Sequence, residues 1–312
     1  MVHLSMGVSD MKKFLINIAI FFAIVVAVDF SLGKVFHYLQ STAGGRTGAE
    51  FYVCEKATED VIIMGSSRAS HHYVPDIISE SLGMTCFNAG QDGNGIILQY
   101  GRWKMLSERY TPKLLIYDIS TEFDLAENDN MAYVDRLKPF ACYDAVRNYV
   151  ADIFPMEKLK LFSKLYCYNY KFIEMFSDCR QKGDKVSKTG YIPLYGHIRY
   201  EIVQKERVVS NVVIRQNFEK AYYLEQLVKE TKIAGTKLIF VVSPYWKGYG
   251  YGKKTYSQIA ELSKRYDVPF IEYIESGICN DPENFEDSYH LNDRGARIFT
   301  EDLCKRISIE DK

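Results

Sequence analysis

Asp60-Val-Ile-Ile-Met-Gly-Ser-Ser67 is the stretch on which the fold turns. Four apolar residues in a row run into a glycine and two serines. A short unbroken apolar run bounded by turn residues marks a strand buried on both faces, as in a parallel sheet. The pattern recurs outward along the chain. Residues 85–89, ending at Gly90, read as a second strand and 113–119 (KLLIYDI) as a third. Residues 237–242 (KLIFVV), stopped by Ser243-Pro244, read as a fourth and 269–274 as a fifth. Between them lie stretches of helical spacing: 74–82, closed by Gly83; 96–108; 218–232, closed by Gly235; 256–266; and finally 293–307. Strands alternating with helices give βαβ units and a mostly parallel sheet. Right-handed crossovers then place helices on both faces. The expected class is α/β.

Composition agrees with a folded domain. The chain has 312 residues, enough for one large domain or two small ones. At 47% hydrophobic and 25% charged it is globular in character, with ample material for a core. Lys+Arg is 39 and Asp+Glu 40, a net charge of −1, so the basic excess of a nucleic-acid binder is absent. Seven cysteines (54, 86, 142, 167, 179, 279, 304) include no CxxC pair, which disfavours zinc-ribbon and thioredoxin readings. Most are expected to be small buried hydrophobes rather than a disulfide framework.

The alternation fails in two places. Lys12-Lys13 precede an apolar run, 14–28, broken only by Asn17 and extended past Asp29 by Phe30 and Leu32. Val-Ala-Val-Asp at 26–29 offers no clean cleavage site, so residues 1–33 are expected to be an uncleaved signal anchor, a transmembrane helix of roughly 17–19 residues. The lysines would stay cytoplasmic and the rest would be exported, periplasmic or extracellular. Residues 34–59, broken by Gly44-Gly-Arg-Thr-Gly48, read as a juxtamembrane connector to a domain over 60–312. Within that domain, 124–216 is rich in Tyr, Phe and Lys and has no strong strand signal. It reads as a helical insertion, a cap that walls the cleft.

Sites of open α/β sheets lie past the C-terminal ends of the strands. The sharpest pattern there is Asp287-Ser-Tyr-His290, at the entrance to the last helix. An Asp three residues before a His can hold its tautomer and stabilise the imidazolium. Ser67, just past Gly65 at the end of the first strand, is the candidate nucleophile and His290 the base it requires. The amides of Ser67 and Gly90 are candidate oxyanion donors. Arg68 is a candidate contact for a substrate anion, with a structural salt bridge as the alternative. Tyr245 and Trp246 open an aromatic run, 245–251, suited to a sugar face or to a mobile loop. His71-His72 lack the carboxylate spacing of a metal site, and Gly93-x-Gly95 lacks the Lys-Ser/Thr of a phosphate loop. No metal or cofactor is expected.

Gly65-Ser66-Ser67, Gly90 and Asp287-x-x-His290, in that order and spacing, resemble the SGNH/GDSL hydrolase family over 60–124 and 217–306. The resemblance implies a flavodoxin-like three-layer α/β/α sandwich and serine ester-hydrolase or acyl-transfer chemistry. For a membrane-anchored exported member it implies acyl esters, acetyl foremost, of cell-envelope or extracellular glycans. The chain departs from the family at the third block. Ile119-Ser-Thr-Glu122 stands where Gly-x-Asn-Asp is usual, so the side-chain oxyanion donor is missing and Asn94, Ser120 or Thr121 is left to replace it. That departure favours a second expectation, a non-catalytic envelope protein of the same fold that binds glycan or a membrane partner. A surface protein whose aromatic insertion mediates assembly is a third.

Overall fold

A computed structural model describes residues 8–127, 131–169, 171–180, 188–199, 217–246 and 253–310. The chain begins with helices α1 (Val8–Thr42) and α2 (Gly45–Glu55). The core is then built from β1 (Val61–Gly65), α3 (Ser67–His72), α4 (Pro75–Leu82), β2 (Cys86–Asn88), α5 (Ile96–Arg109) and β3 (Leu114–Asp118). Short helices α6 (Met131–Val134), α7 (Asp144–Ile153), α8 (Glu157–Lys160), α9 (Lys164–Tyr168) and α10 (Phe172–Arg180) interrupt it. It resumes with α11 (Phe218–Ala234), β4 (Lys237–Val242), α12 (Ser257–Tyr266), β5 (Phe270–Glu272) and α13 (Asp293–Glu310).

The five strands form one parallel sheet in the order β2-β1-β3-β4-β5. Alternate residues along each strand face opposite sides. Ile62, Met64, Leu115, Tyr117, Leu238 and Phe240 join one apolar cluster, with α5, α11 and α12. Val61, Ile63, Leu114, Ile116, Ile239 and Val241 join another, with α4 and α13. Burial on both faces is why these strands are continuous apolar runs rather than alternating ones. The chain reverses its direction of travel across the sheet between β1 and β3, the switch point at which open α/β sheets place their sites. The register sets Gly65 beside Asp118 at that edge. The seven thiols are free, five of them buried.

Residues 34–59, expected as a juxtamembrane connector, are mostly helical, with the break between helices falling at 43–44. The first helix continues to Thr42, and α2 buries Phe51, Val53 and Cys54 in the domain core. By length and composition α1 can cross a membrane, as an anchor or a signal sequence. At about 1.5 Å per residue its 35 residues span about 52 Å, against a hydrocarbon core of about 30 Å. The surplus is packed on protein. The described residues of the insertion between 131 and 180 form short helices, which pack on α1, α2 and α5. Among the described residues of the insertion, the stretch 188–199 reaches the sheet edge. It takes a hydrogen bond from the Asn88 amide at Thr189 and gives one from the Ile192 amide to Ser70.

One buried carboxylate ties the insertion's root to the sheet. Asp124 Oδ1 accepts from the Ile96 amide (2.6 Å) and the Tyr117 hydroxyl (2.7 Å), and Oδ2 from the Ser120 amide (2.6 Å). Burial pushes its carboxyl up to about 6, against the pull of these donors and of Lys220. A folded value above 3.8 means that the stability it carries is complete below about pH 4 and is lost as the pH rises through about 6. Asp124→Ala leaves three buried donors without an acceptor and should cost roughly 3 kcal/mol or more. In urea denaturation the deficit should be largest near pH 4 and narrow as the pH rises to about 7.

Candidate active site

The site begins with a turn only glycine can make. Gly65, the last residue of β1, has φ +146°, and a Cβ there would sit 2.7 Å from the Asp118 carbonyl oxygen. The turn delivers Ser66 as an extended residue and Ser67 as the first residue of α3. Ser67 Oγ lies 2.8 Å from His290 Nε2, and His290 Nδ1 lies 2.9 Å and 3.1 Å from the two oxygens of Asp287. Residues 223 positions apart in sequence thus complete a serine–imidazole–carboxylate relay. All three are partly exposed, so the relay faces solvent.

The histidine loop is closed on itself. Asp287 Oδ1 also accepts the Tyr289 and His290 amides, at 2.7 and 2.9 Å. The Glu286 amide donates to the His290 carbonyl, and Phe285 bridges Leu291 in antiparallel fashion. Burial would raise the Asp287 carboxyl, but the His290 ring and the two amides outweigh it and hold it below 3.8. The stability from this pairing is therefore complete above about pH 4 and lost on further acidification.

His72, to which the sequence reading gave no role, holds the loop from behind. Its Nε2 accepts the Leu291 amide (3.0 Å), so the ring proton is on Nδ1 and is donated to Ser243 Oγ (2.9 Å). Burial, with the charges of Arg68, His290 and His71 nearby, keeps this imidazole well below its usual pKa and neutral. His71 stands edge-on to His290, ring centres 5.5 Å apart, with Nδ1 on the Ile192 carbonyl at 2.7 Å.

Other expected contacts fall elsewhere. The Gly90 amide donates to Asn88 Oδ1 (3.0 Å) rather than lying open as an oxyanion donor. Gly90 is there because a Cβ would strike the Ser70 amide at 2.3 Å. Asn94 is buried, with Nδ2 on the Asp92 carbonyl at 2.7 Å. Ser120 Oγ donates to Glu122, and Thr121 Oγ1 to the Tyr256 hydroxyl. The Ser67 amide, at the first helical position, has no acceptor within the helix and is the donor that remains. A cavity of about 250 Å3 lies alongside, lined by Arg46, Ser70, Gly90, Asp92 and Ile192 among others; none of the relay residues lines it.

Arg68, expected either at a substrate anion or in a structural salt bridge, is buried and makes the salt bridge. It pairs with Asp118 at 3.3 Å, donates to the carbonyls of Ser243 (3.0 Å) and Ile119, and lies under the Tyr245 ring at 4.1 Å. Burial would lower its basicity; Asp118 more than restores it. Tyr245 and Trp246 are 3% and 1% exposed, so they are core, not a sugar platform. Trp246 packs edge-on against Phe285 under the histidine loop. The remainder of that aromatic run, 247–251, lies outside the described residues. Asn88 and Asp118 were the supports hardest to foresee. Asn88 Nδ2 donates to the Ala69 and Tyr73 carbonyls, and Asp118 Oδ1 accepts the Tyr73 hydroxyl and Ser243 amide. A carboxylate ending the apolar run LLIYD was the one available signal, because a buried charge demands a partner.

The chain matches no known family profile and no curated protein sequence.

Arg68→Ala strands Asp118 in the core and should cost about 3–5 kcal/mol, read as a shifted urea midpoint. A substrate-contacting arginine would instead leave the midpoint unchanged.

Proposed function

We propose that the chain is a serine esterase or O-acyltransferase of the SGNH type, anchored by α1 and exported. Its substrates would be acyl esters, acetyl foremost, of cell-envelope or extracellular glycans. The observation that carries this reading is the Ser67–His290–Asp287 geometry, with both contacts at hydrogen-bond length. The strand order, which is that of flavodoxin-like sheets, and helices on both faces support the sandwich that the family has. Lys12-Lys13 ahead of the apolar span support export of the domain on its far side.

In this reading Ser67 Oγ attacks the acyl carbonyl carbon and its proton passes to His290 Nε2. Asp287 steadies the imidazolium. The Ser67 amide faces the developing oxyanion. Collapse releases the alcohol, which takes the proton from Nε2 and leaves an acyl-serine. Water or a glycan hydroxyl then attacks that ester, giving its proton to His290, and Ser67 leaves with the proton returned. Hydrolysis and transfer differ only in the acceptor.

One observation favours the alternative, a glycan-binding or partner-binding protein that keeps the fold without turnover. The Gly90 backbone amide is committed to Asn88, and the Asn94 side chain is buried with Nδ2 on the Asp92 carbonyl, so the Ser67 amide is the one of the expected donors left unengaged for an oxyanion. Labelling with a fluorophosphonate separates the two readings. The folded full chain should be labelled and Ser67→Ala should not. His290→Ala should react roughly 10²–10⁴-fold more slowly. A folded parent that takes no label assigns the protein to the binding class.

A further inference from the structure

We propose that the insertion is a second membrane-contact element. Its exposed apolar edge, over 156–176, rests in the lipid interface beside α1 and seats the domain on the bilayer surface. The proposal rests on the reading of α1 as a membrane anchor.

The anchor does not end in a tether. Asp29 Oδ1 accepts from Ser163 Oγ (2.6 Å) and the Leu165 amide (3.0 Å), and Oδ2 accepts the Lys164 amide (2.8 Å). One carboxylate on α1 thereby satisfies orphan donors at the start of α9. Gly33 lets the two helices touch: a Cβ there would meet Lys164 Cβ at 2.4 Å. Further along, Phe36 packs on Tyr168 and Phe176 at 5.5 and 6.4 Å, the Tyr168 hydroxyl reaches Gln40, and the Cys179 thiol reaches the Leu39 carbonyl. Pairing of 36 with 176 and of 39 with 179 means that α10 runs alongside α1 in the same direction. Its first residues, Phe172 and Ile173, therefore lie level with about residue 32, where the apolar span ends. The 163–165 turn lies level with Asp29, and α8 precedes it.

That end of the insertion is apolar and open. Met156, Leu159 and Ile173 are 77%, 78% and 74% exposed, and Phe162, Phe172 and Phe176 are exposed beside them. A patch of this kind on a soluble face signals a partner. Here the patch is continuous with a helix whose own apolar residues, from Phe14 to Leu32, stand out from the protein, and that continuity points to lipid. Lys158 and Lys160 flank Leu159 in α8, and Arg147 lies over the Phe162 ring at 5.8 Å. Apolar side chains interleaved with cations suit the headgroup boundary. Lys160 also pairs with Glu157 at 2.9 Å.

Bromolipid quenching tests this on the full chain in phosphatidylcholine–phosphatidylglycerol vesicles. The native tryptophans, Trp103 and Trp246, are buried and supply a constant background. A tryptophan is added by Phe162→Trp, by Val25→Trp in the span, or by Ile233→Trp on an exposed helix end. All three positions are exposed, so folding is undisturbed. Bromines high on the acyl chain should remove roughly half of the emission added by Phe162→Trp. Deep bromines should quench Val25→Trp, and Ile233→Trp should be untouched. If Val25→Trp is quenched while Phe162→Trp behaves like Ile233→Trp, the insertion does not meet lipid and the proposal falls, with the anchor intact. A blue-shifted but bromine-insensitive Phe162→Trp would overturn it in favour of a second copy covering the patch. No quenching at Val25→Trp removes the anchor reading and this one together.

Discussion

A buried guanidinium holds the business edge of the sheet together. Arg68 extends from α3 beneath the ends of β3 and β4, paired with Asp118 and donating to carbonyls at 119 and 243. Asp118 in turn binds the Tyr73 hydroxyl and the Ser243 amide. A charge so deep is tolerable only when every group around it is matched, and removing either partner would leave the other stranded. Ser67 immediately precedes that arginine. Its position is therefore set from below by the ion pair and from behind by the Gly65 turn.

The imidazole arrives from the other end of the chain and is held just as tightly. His290 sits on a loop closed by Asp287 and bridged from Phe285 to Leu291, with His72 clamping the Leu291 amide to the helix that carries Ser67. Because His72 is neutral and fully engaged, it serves as a fixed spacer between the two arms of the relay. The same logic explains why Asn88 and Gly90 are structural. Asn88 ties α3 to the end of β2, and Gly90 permits the approach. Groups that chemistry could have used as oxyanion donors are committed to bringing the two loops together.

The fold also couples the site to the apolar helix α1. α2 comes after α1 with a two-residue break and buries its apolar side in the domain core, and the insertion grips α1 between Asp29 and Gln40. Glu50 on α2 adds a buried junction, pairing with Lys171 and Arg136 from the insertion. The height of the site above the end of the apolar span is thereby a property of packed helices.

The sequence by itself determined the elements that depend on local composition. Unbroken apolar runs marked the strands, 237–242 to the residue, and glycine stops marked the ends of the helices at 83 and 235. It also supplied the Ser67, Asp287 and His290 grouping, because Asp-x-x-His is a local hydrogen-bonding unit and a serine after a strand-end glycine a local turn. Only the tertiary structure decided which polar groups remain free. Tyr245 and Trp246 read as a sugar face or a mobile loop, yet segments distant in the chain bury them, and of the two roles open to Arg68 the ion pair with Asp118 is the one made. The Gly90 amide is committed to Asn88 and the Asn94 side chain is buried against Asp92, and the 45–55 stretch is a helix packed between the core and the insertion. A residue's type limits the bonds it can make; the bond it does make is settled by the groups that the fold brings within about 3 Å of it.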